Sequence, residues 1–252
     1  MALYKPLLLK RKTINKPRKQ RSKIPSESSV ELTEEVEEEA NEFYSFTETV
    51  YNRLQDYFGE LETPLNYTHD YELAIAVILS AQCTDERVNQ VTEELFQKYK
   101  TLKSFAEANL EDLEEAIFPT GFFRNKSRLI KGFASKLITD YSSRLPSTIS
   151  QLTSLPGIGR KTANVILNEV FEKAEGIVVD THVKRLAAKL GLTTETLPEN
   201  IEFDLMGKIE KIYWRRFSLY LIFLGRKHCK AYRTDCERCP LSDICPSSLE
   251  RR

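Results

Sequence analysis

Leu155-Pro-Gly-Ile-Gly-Arg-Lys161 lies between two stretches of helical character, the first ending near Leu152 and the second running from Arg160 to Phe171. Pro156 stops the first helix, because its ring removes an N–H donor and clashes with the preceding turn. Gly157 and Gly159 permit positive φ and let another backbone approach closely. Ile158, held between them, anchors the turn in the core. The second helix then opens with unpaired N–H groups that point outward and favour an anion. Two helices joined this way form a helix-hairpin-helix, and a DNA phosphate is the natural guest. Gly157, Ile158, Gly159 and Arg160 are the expected contacts. An ordinary helix–turn–helix connection rarely needs a glycine on each side of an aliphatic residue.

The rest of the chain is helical in pattern. Asp70 is expected to cap an almost wholly apolar, buried helix through Leu73, Ala74, Ala76, Val77 and Leu79. Thr84 or Asp85 caps the next, with Val88, Val91, Leu95 and Phe96 at helical spacing. A short helix follows over Leu110 to Ile117, ended by Pro119-Thr-Gly121. Asn125 is expected to cap a helix containing Leu129, Ile130, Phe133, Leu137 and Ile138. Ser147 or Thr148 precedes a short helix through Leu152, and Thr181 begins another that Gly191 ends. Residues Ile201 to Leu224 read as one long helix containing Trp214. No alternating pattern is longer than Gly176-Ile-Val-Val179. The fold class is all-α, without solenoid repeats.

The chain has 252 residues, of which 41% are hydrophobic, enough for one compact domain or two small ones. No apolar run approaches the ~20 residues of a membrane span, and Leu7-Leu8-Leu9 is too short for a secretory core. A cytosolic protein with no membrane association is expected. Formal net charge is zero, but residues 1–23 carry nine Lys or Arg and no acid, and residues 31–42 carry seven Glu and no base. Such blocks read as a disordered extension over residues 1–42, with order from about Phe43. The basic block is a solvated tail or an arm that attracts nucleic acid.

Two side chains near the hairpin carry reactive chemistry. Lys161 falls in the first turn of the second helix, where the positive end of the dipole and partial burial would disfavour its ammonium form. A neutral lysine amine is a nucleophile suited to Schiff-base chemistry at a sugar carbon; the alternative is a phosphate-contacting or solvated lysine. Asp180 follows the apolar Ile177-Val-Val179 and precedes a helix. It is a cap, a charge facing a cleft, or both; a carboxylate near a sugar C1′ stabilises an oxocarbenium-like transition state.

Four of the five cysteines, Cys229, Cys236, Cys239 and Cys245, are spaced C-x6-C-x2-C-x5-C. In a reducing cytosol such a set binds zinc or an iron–sulfur cluster, and thiolates alone do not separate the two. Only Cys236 and Cys239 form the C-x2-C knuckle that zinc ribbons use in pairs. Lys227, Lys230, Arg233 and Arg238 surround them as phosphate contacts or solvated charges. Cys83 reads as a small buried residue.

The run LPGIGRKTANVIL, then VVDTH, then the four cysteines resembles the endonuclease III family of helix-hairpin-helix DNA glycosylases, over roughly residues 45–248. The resemblance implies that Lys161 is the nucleophile, Asp180 its catalytic partner, and the four cysteines the ligands of a [4Fe–4S] cluster, chiefly structural. Gln82 matches the family's gap-filling glutamine, Phe122 the place of its apolar wedge, and His182 a histidine beside the aspartate that contacts phosphate or local structure. Two lobes are implied: a barrel of about six helices over 67–173, with its hairpin at 148–171, and a cluster lobe from 43–66 plus 174–252. DNA would lie in the groove between them. The activity implied is that of a bifunctional glycosylase and AP lyase of base excision repair. It would act as a monomer on duplex DNA bearing damaged pyrimidines or abasic sites, in a bacterial cytoplasm and on its nucleoid. A monofunctional relative would lack lysine at position 161 and carry a long further domain, whereas this sequence stops seven residues past Cys245. A non-catalytic DNA-binding protein would need no Lys–Asp pair.

Overall fold

The structure is a computed structural model that describes residues 34–250. Helix α1 spans Glu34–Phe58, so the acidic block is helical from Glu34 rather than disordered. Glutamate is a good helix former, and negative charge suits the first turns of a helix. The basic block over 1–23 lies outside the described residues. Among those described, the regular structure is helical, with one isolated antiparallel bridge between Cys229 and Thr234. Ile177-Val-Val179 is an extended, buried connection and not a strand. No described helix is long and apolar enough to cross a membrane.

Helix α2 (Asp70–Leu79) is the centre of the first core, with Leu73, Ala74, Ile75, Ala76 and Leu79 fully enclosed. His69, not Asp70, is its N-cap, because Glu72 reaches back to the Thr68 and His69 N–H groups at 2.7 and 2.9 Å. Around α2 pack α3 (Asp85–Lys98), α4 (Leu102–Ala106), α5 (Leu110–Ile117), α6 (Phe123–Tyr141), α7 (Ile149–Leu152) and α8 (Arg160–Val170). Thr84 caps α3 and Thr148 caps α7. Asn125 does not cap α6; Phe122 holds that place in a left-handed conformation, and its carbonyl accepts from Asn125 and Lys126.

The second core draws Val50 and Leu54 of α1 together with Ile177, Val183, Leu186, Phe217, Tyr220 and Leu221. Its helices are α9 (Thr181–Lys189), α10 (Pro198–Met206), α11 (Trp214–Lys227) and the short α12 (Pro246–Leu249). The long helix expected over Ile201 to Leu224 is broken. At Gly207 the chain leaves α10, and the Trp214 indole N–H donates to the Ile209 carbonyl at 2.7 Å while Lys208 Nζ takes the Leu192 carbonyl at 3.0 Å. The indole thus satisfies a carbonyl that a continuous helix would have used, Lys208 ties the break to the chain after α9, and the hydrophobic period runs on across it.

The seam between the cores is polar where α8 faces α10 and α11. Arg216 pairs with Glu169 at 2.5 Å, Arg215 Nε donates to the Asn168 carbonyl at 3.0 Å, and Arg226 reaches Asp85 at 2.7 Å. These contacts fix the two cores relative to each other without filling the space between them.

Candidate active site and cysteine cage

The hairpin forms as its residue types require. Leu155 and Ile158 are buried in the first core, and the Ile158 N–H donates to the Leu155 carbonyl at 3.1 Å. Gly157 has φ +79°, and a Cβ there would meet Ile78 Cδ1 at 3.0 Å, so both its conformation and its closeness to α2 call for glycine. Gly159 differs from expectation: its φ is −87°, and it serves as the exposed N-cap of α8 with nothing near the place of a side chain. That leaves the first amides of α8 approachable. The Ile158 side chain faces the core and offers DNA only its backbone.

Arg160 is committed elsewhere. Its Nε donates to Glu202 Oε2 at 2.7 Å, its guanidinium stacks on Phe203, and the Glu202 hydrogen bond holds its pKa above the ordinary arginine value. Glu202 is buried and also accepts from Asn164 at 3.0 Å. This ties the start of α8 to α10. Glu202→Ala leaves two donors short of a partner and is expected to cost about 2 kcal/mol in denaturant unfolding; unchanged stability would show the pair to be idle.

Lys161 and Asp180 line one cleft between the two cores, together with Asp85, Asn168, Arg215 and Arg226. The cleft is open to solvent, with a cavity volume of ≈ 140 Å³, smaller than a typical ligand pocket. Lys161 is exposed at this cleft and not partly buried, because the first turn of α8 projects from the core that holds the rest of the helix. Asp180 does both things the sequence allowed. It is the N-cap of α9, its Oδ1 accepting from Val183 N at 2.8 Å, and it faces the cleft.

His182 lies half-buried behind Asp180, where its Nδ1 meets Arg185 Nη2 at 3.2 Å and the same Nη2 donates to the Cys229 carbonyl at 2.8 Å. Burial pushes its pKa below the ordinary value; Asp180 pulls it up, and Arg185, Arg226 and Lys161 push it down. Through Arg185 the ring is joined to the cysteine loop, so a local structural contact is the one the structure shows. A Cβ on Gly225 of α11 would stand 2.6 Å from His182 Nδ1, so glycine there lets α9 and its aspartate sit close against α11.

Gln82 and Phe122 occupy loops on the first core. Both are exposed, Phe122 at 63%, and both have positive φ, 55° and 50°. Left-handed backbone in a glutamine and a phenylalanine is strained and held by its surroundings.

Cys229, Cys236, Cys239 and Cys245 line a single cavity with Leu186, Leu190, Leu224 and Leu241. No disulfide joins them. Burial pushes the Cys239 thiol up to about 11 and raises Cys245, so a cation is needed to hold these sulfurs as thiolates. Among the described residues no three His, Cys, Asp or Glu side chains close on a single ion. The donor set is nonetheless complete, soft and enclosed in apolar walls, which fits a thiolate-held metal group. The loop carrying it is tied to α9 through Arg185, a link with no signal in sequence.

Residues 75–211 match the model of the HhH-GPD superfamily base excision DNA repair protein family. The chain is 46% identical over 184 residues to endonuclease III of Synechocystis sp., covering 73% of this chain and 84% of that one. It is 40% identical over 202 residues to endonuclease III of Bacillus subtilis, covering 79% and 91%. Among solved structures it is similar to a non-covalent endonuclease III–DNA complex, with TM-score 0.77, 38% identity, and coverage of 82% of this chain and 97% of that one. A trapped endonuclease III–DNA covalent intermediate superposes with TM-score 0.76 at 38% identity, covering 81% and 98%. With the family model matching more than half of the chain and relatives at 46% and 40% identity covered over most of their length, the chain belongs to the endonuclease III family of the HhH-GPD superfamily.

Proposed function

We propose that Lys161 is the nucleophile and Asp180 its electrostatic partner in this DNA glycosylase and AP lyase of base excision repair. The observation that carries the assignment is that one cleft between the two cores receives both side chains. The substrate is duplex DNA, and the proposed lesions are oxidised pyrimidines and abasic sites. The chain acts as a monomer in the cytoplasm and on the nucleoid.

A base inside the duplex is out of reach, so the nucleotide is flipped into the cleft. Phe122 wedges the stack and Gln82 fills the gap. DNA closing over the cleft removes water from the exposed amine of Lys161. The nitrogen lone pair of Lys161 forms a bond to C1′, and the glycosidic bond breaks with its electron pair leaving on the base, which takes up the proton that the alkylated amine releases. Asp180 stabilises the positive charge that develops on the sugar. Opening of the ring at O4′ gives a Schiff base between Lys161 and C1′. Loss of the C2′ proton then expels the 3′ phosphate by β-elimination, cutting the strand 3′ to the abasic site. Exposed Gly159 and the first amides of α8 hold a phosphate near the cleft. The test is incision of duplexes carrying thymine glycol, an abasic site or 8-oxoguanine: activity on the first two is expected, and activity on the last alone would overturn the lesion class.

Cys229, Cys236, Cys239 and Cys245 would hold a [4Fe–4S] cluster. Four soft sulfurs lining one apolar cavity, in a chain of the endonuclease III family, support this over zinc. Such a cluster would supply covalent cross-links that fix the C-terminal loop against α9 and α11. Cys239→Ser is expected to lower iron content to background and reduce the melting temperature, with Cys83→Ser unchanged in both. Stoichiometric zinc in the wild-type protein, measured by elemental analysis, would replace the cluster in this reading.

A further inference from the structure

Lys126 stands in the first turn of α6 on the same face as Ile130, Phe133 and Leu137, and it is 3% exposed. Its Nζ donates to the Leu79 carbonyl at 2.7 Å and to the Thr120 carbonyl at 2.8 Å. Leu79 is the last residue of α2, and Thr120 is the last residue of the 3-10 turn Phe118–Thr120. Only Ser80 and Ala81 separate Leu79 from Gln82, and only Gly121 separates Thr120 from Phe122. The backbone N–H of Lys126 also donates to the Phe122 carbonyl, at 3.0 Å. One residue therefore grips both exposed, left-handed loops.

The chemistry at this point is specific. The partners of the ammonium are carbonyls, and among the described residues no carboxylate pairs with it. Burying a charge without a counter-ion is unfavourable, yet an apolar residue here would orphan two buried carbonyls from different elements. The end of α2 is the negative pole of that helix and favours a cation. A lysine, with three donors on a flexible stem, can serve both carbonyls together. Burial lowers its pKa, opposed by the nearby Cys83.

We infer that Lys126 is a positioning residue that locks the Gln82 and Phe122 loops into one unit, so that wedging and gap filling occur in a single coupled step. This rests on the reading above that both side chains enter the duplex. Coupling matters because a wedge without a filler, or a filler without a wedge, leaves an unstacked gap in the DNA.

The experiment compares full-length wild type with Lys126→Met, which keeps the length and the burial but has no donor. Three quantities are measured: base removal from a paired duplex, 2-aminopurine fluorescence beside the lesion, and borohydride trapping on an abasic site flanked by unpaired bases. Duplex activity is expected to fall on the order of 10²-fold with a weaker fluorescence change, while trapping on the unpaired substrate is unchanged. Gln82→Ala and Phe122→Ala should each impair the wild type and add little in the Lys126→Met background. Equal loss on both substrates, or no loss on the duplex, overturns the inference. If Gln82→Ala and Phe122→Ala leave the wild type fully active, the reading of the two loops fails first, and the coupling with it. Should Lys126→Met not fold by circular dichroism, the Gln82→Ala/Phe122→Ala double variant decides: a loss no greater than that of either single variant supports one coupled unit, and losses that multiply overturn it.

Discussion

Lys161→Ala is expected to give no adduct when abasic duplex is reduced with borohydride, and to lose strand incision by ~10⁴-fold or more. Among the described residues lining the cleft, Lys161 is the only lysine, so no neighbouring amine takes over. Arg215 and Arg226 also line it, but guanidinium groups stay protonated and have no lone pair to offer. The side chain is exposed, and its removal leaves no cavity. Stability should stay within about 0.5 kcal/mol, and affinity for abasic duplex should change only a few-fold. That combination separates a missing nucleophile from a damaged fold. An adduct in the variant would remove Lys161 from the chemistry and return it to phosphate contact.

Asp180→Asn is the second large effect. Asp180 caps α9 through Oδ1 and Val183 N, and asparagine caps as well as aspartate does. The substitution therefore keeps the helix start and deletes only the charge. Melting temperature should be nearly unchanged, while base removal falls by roughly 10²–10³-fold, the scale of losing one preorganised electrostatic group. Asp180→Ala adds the loss of the cap, about 1 kcal/mol. If Asp180→Asn is as active as wild type while Asp180→Ala is destabilised, the carboxylate is a cap and nothing more.

These two residues were legible because each sits in a short motif whose residue types have local reasons. Two glycines around Ile158 announce a hairpin, and a polar residue after a buried run announces a helix start. The cysteine spacing is equally local. The Arg160–Glu202 pair has no local signal, because Glu202 lies on α10 and is brought near only by the meeting of the two cores. Lys126 falls on the apolar stripe of its own helix, where a charge must find partners or stay away. The break at Gly207 was hidden because the hydrophobic period continues past it. The break is marked by the Trp214 indole on the Ile209 carbonyl, a contact that periodicity does not record.

By itself the sequence determined the all-helical class, the hairpin, the capping aspartate and the set of four sulfurs, since each depends on neighbours within one or two turns of chain. Only the tertiary structure decided that Lys161 and Asp180 share a cleft, that Arg160 pairs with Glu202 and His182 with Arg185, and that one buried lysine joins two loops. Those outcomes depend on how two cores, one assembled from distant segments of chain, meet along a polar seam. Contacts of that kind are fixed by geometry in three dimensions, and spacing along the chain does not carry them.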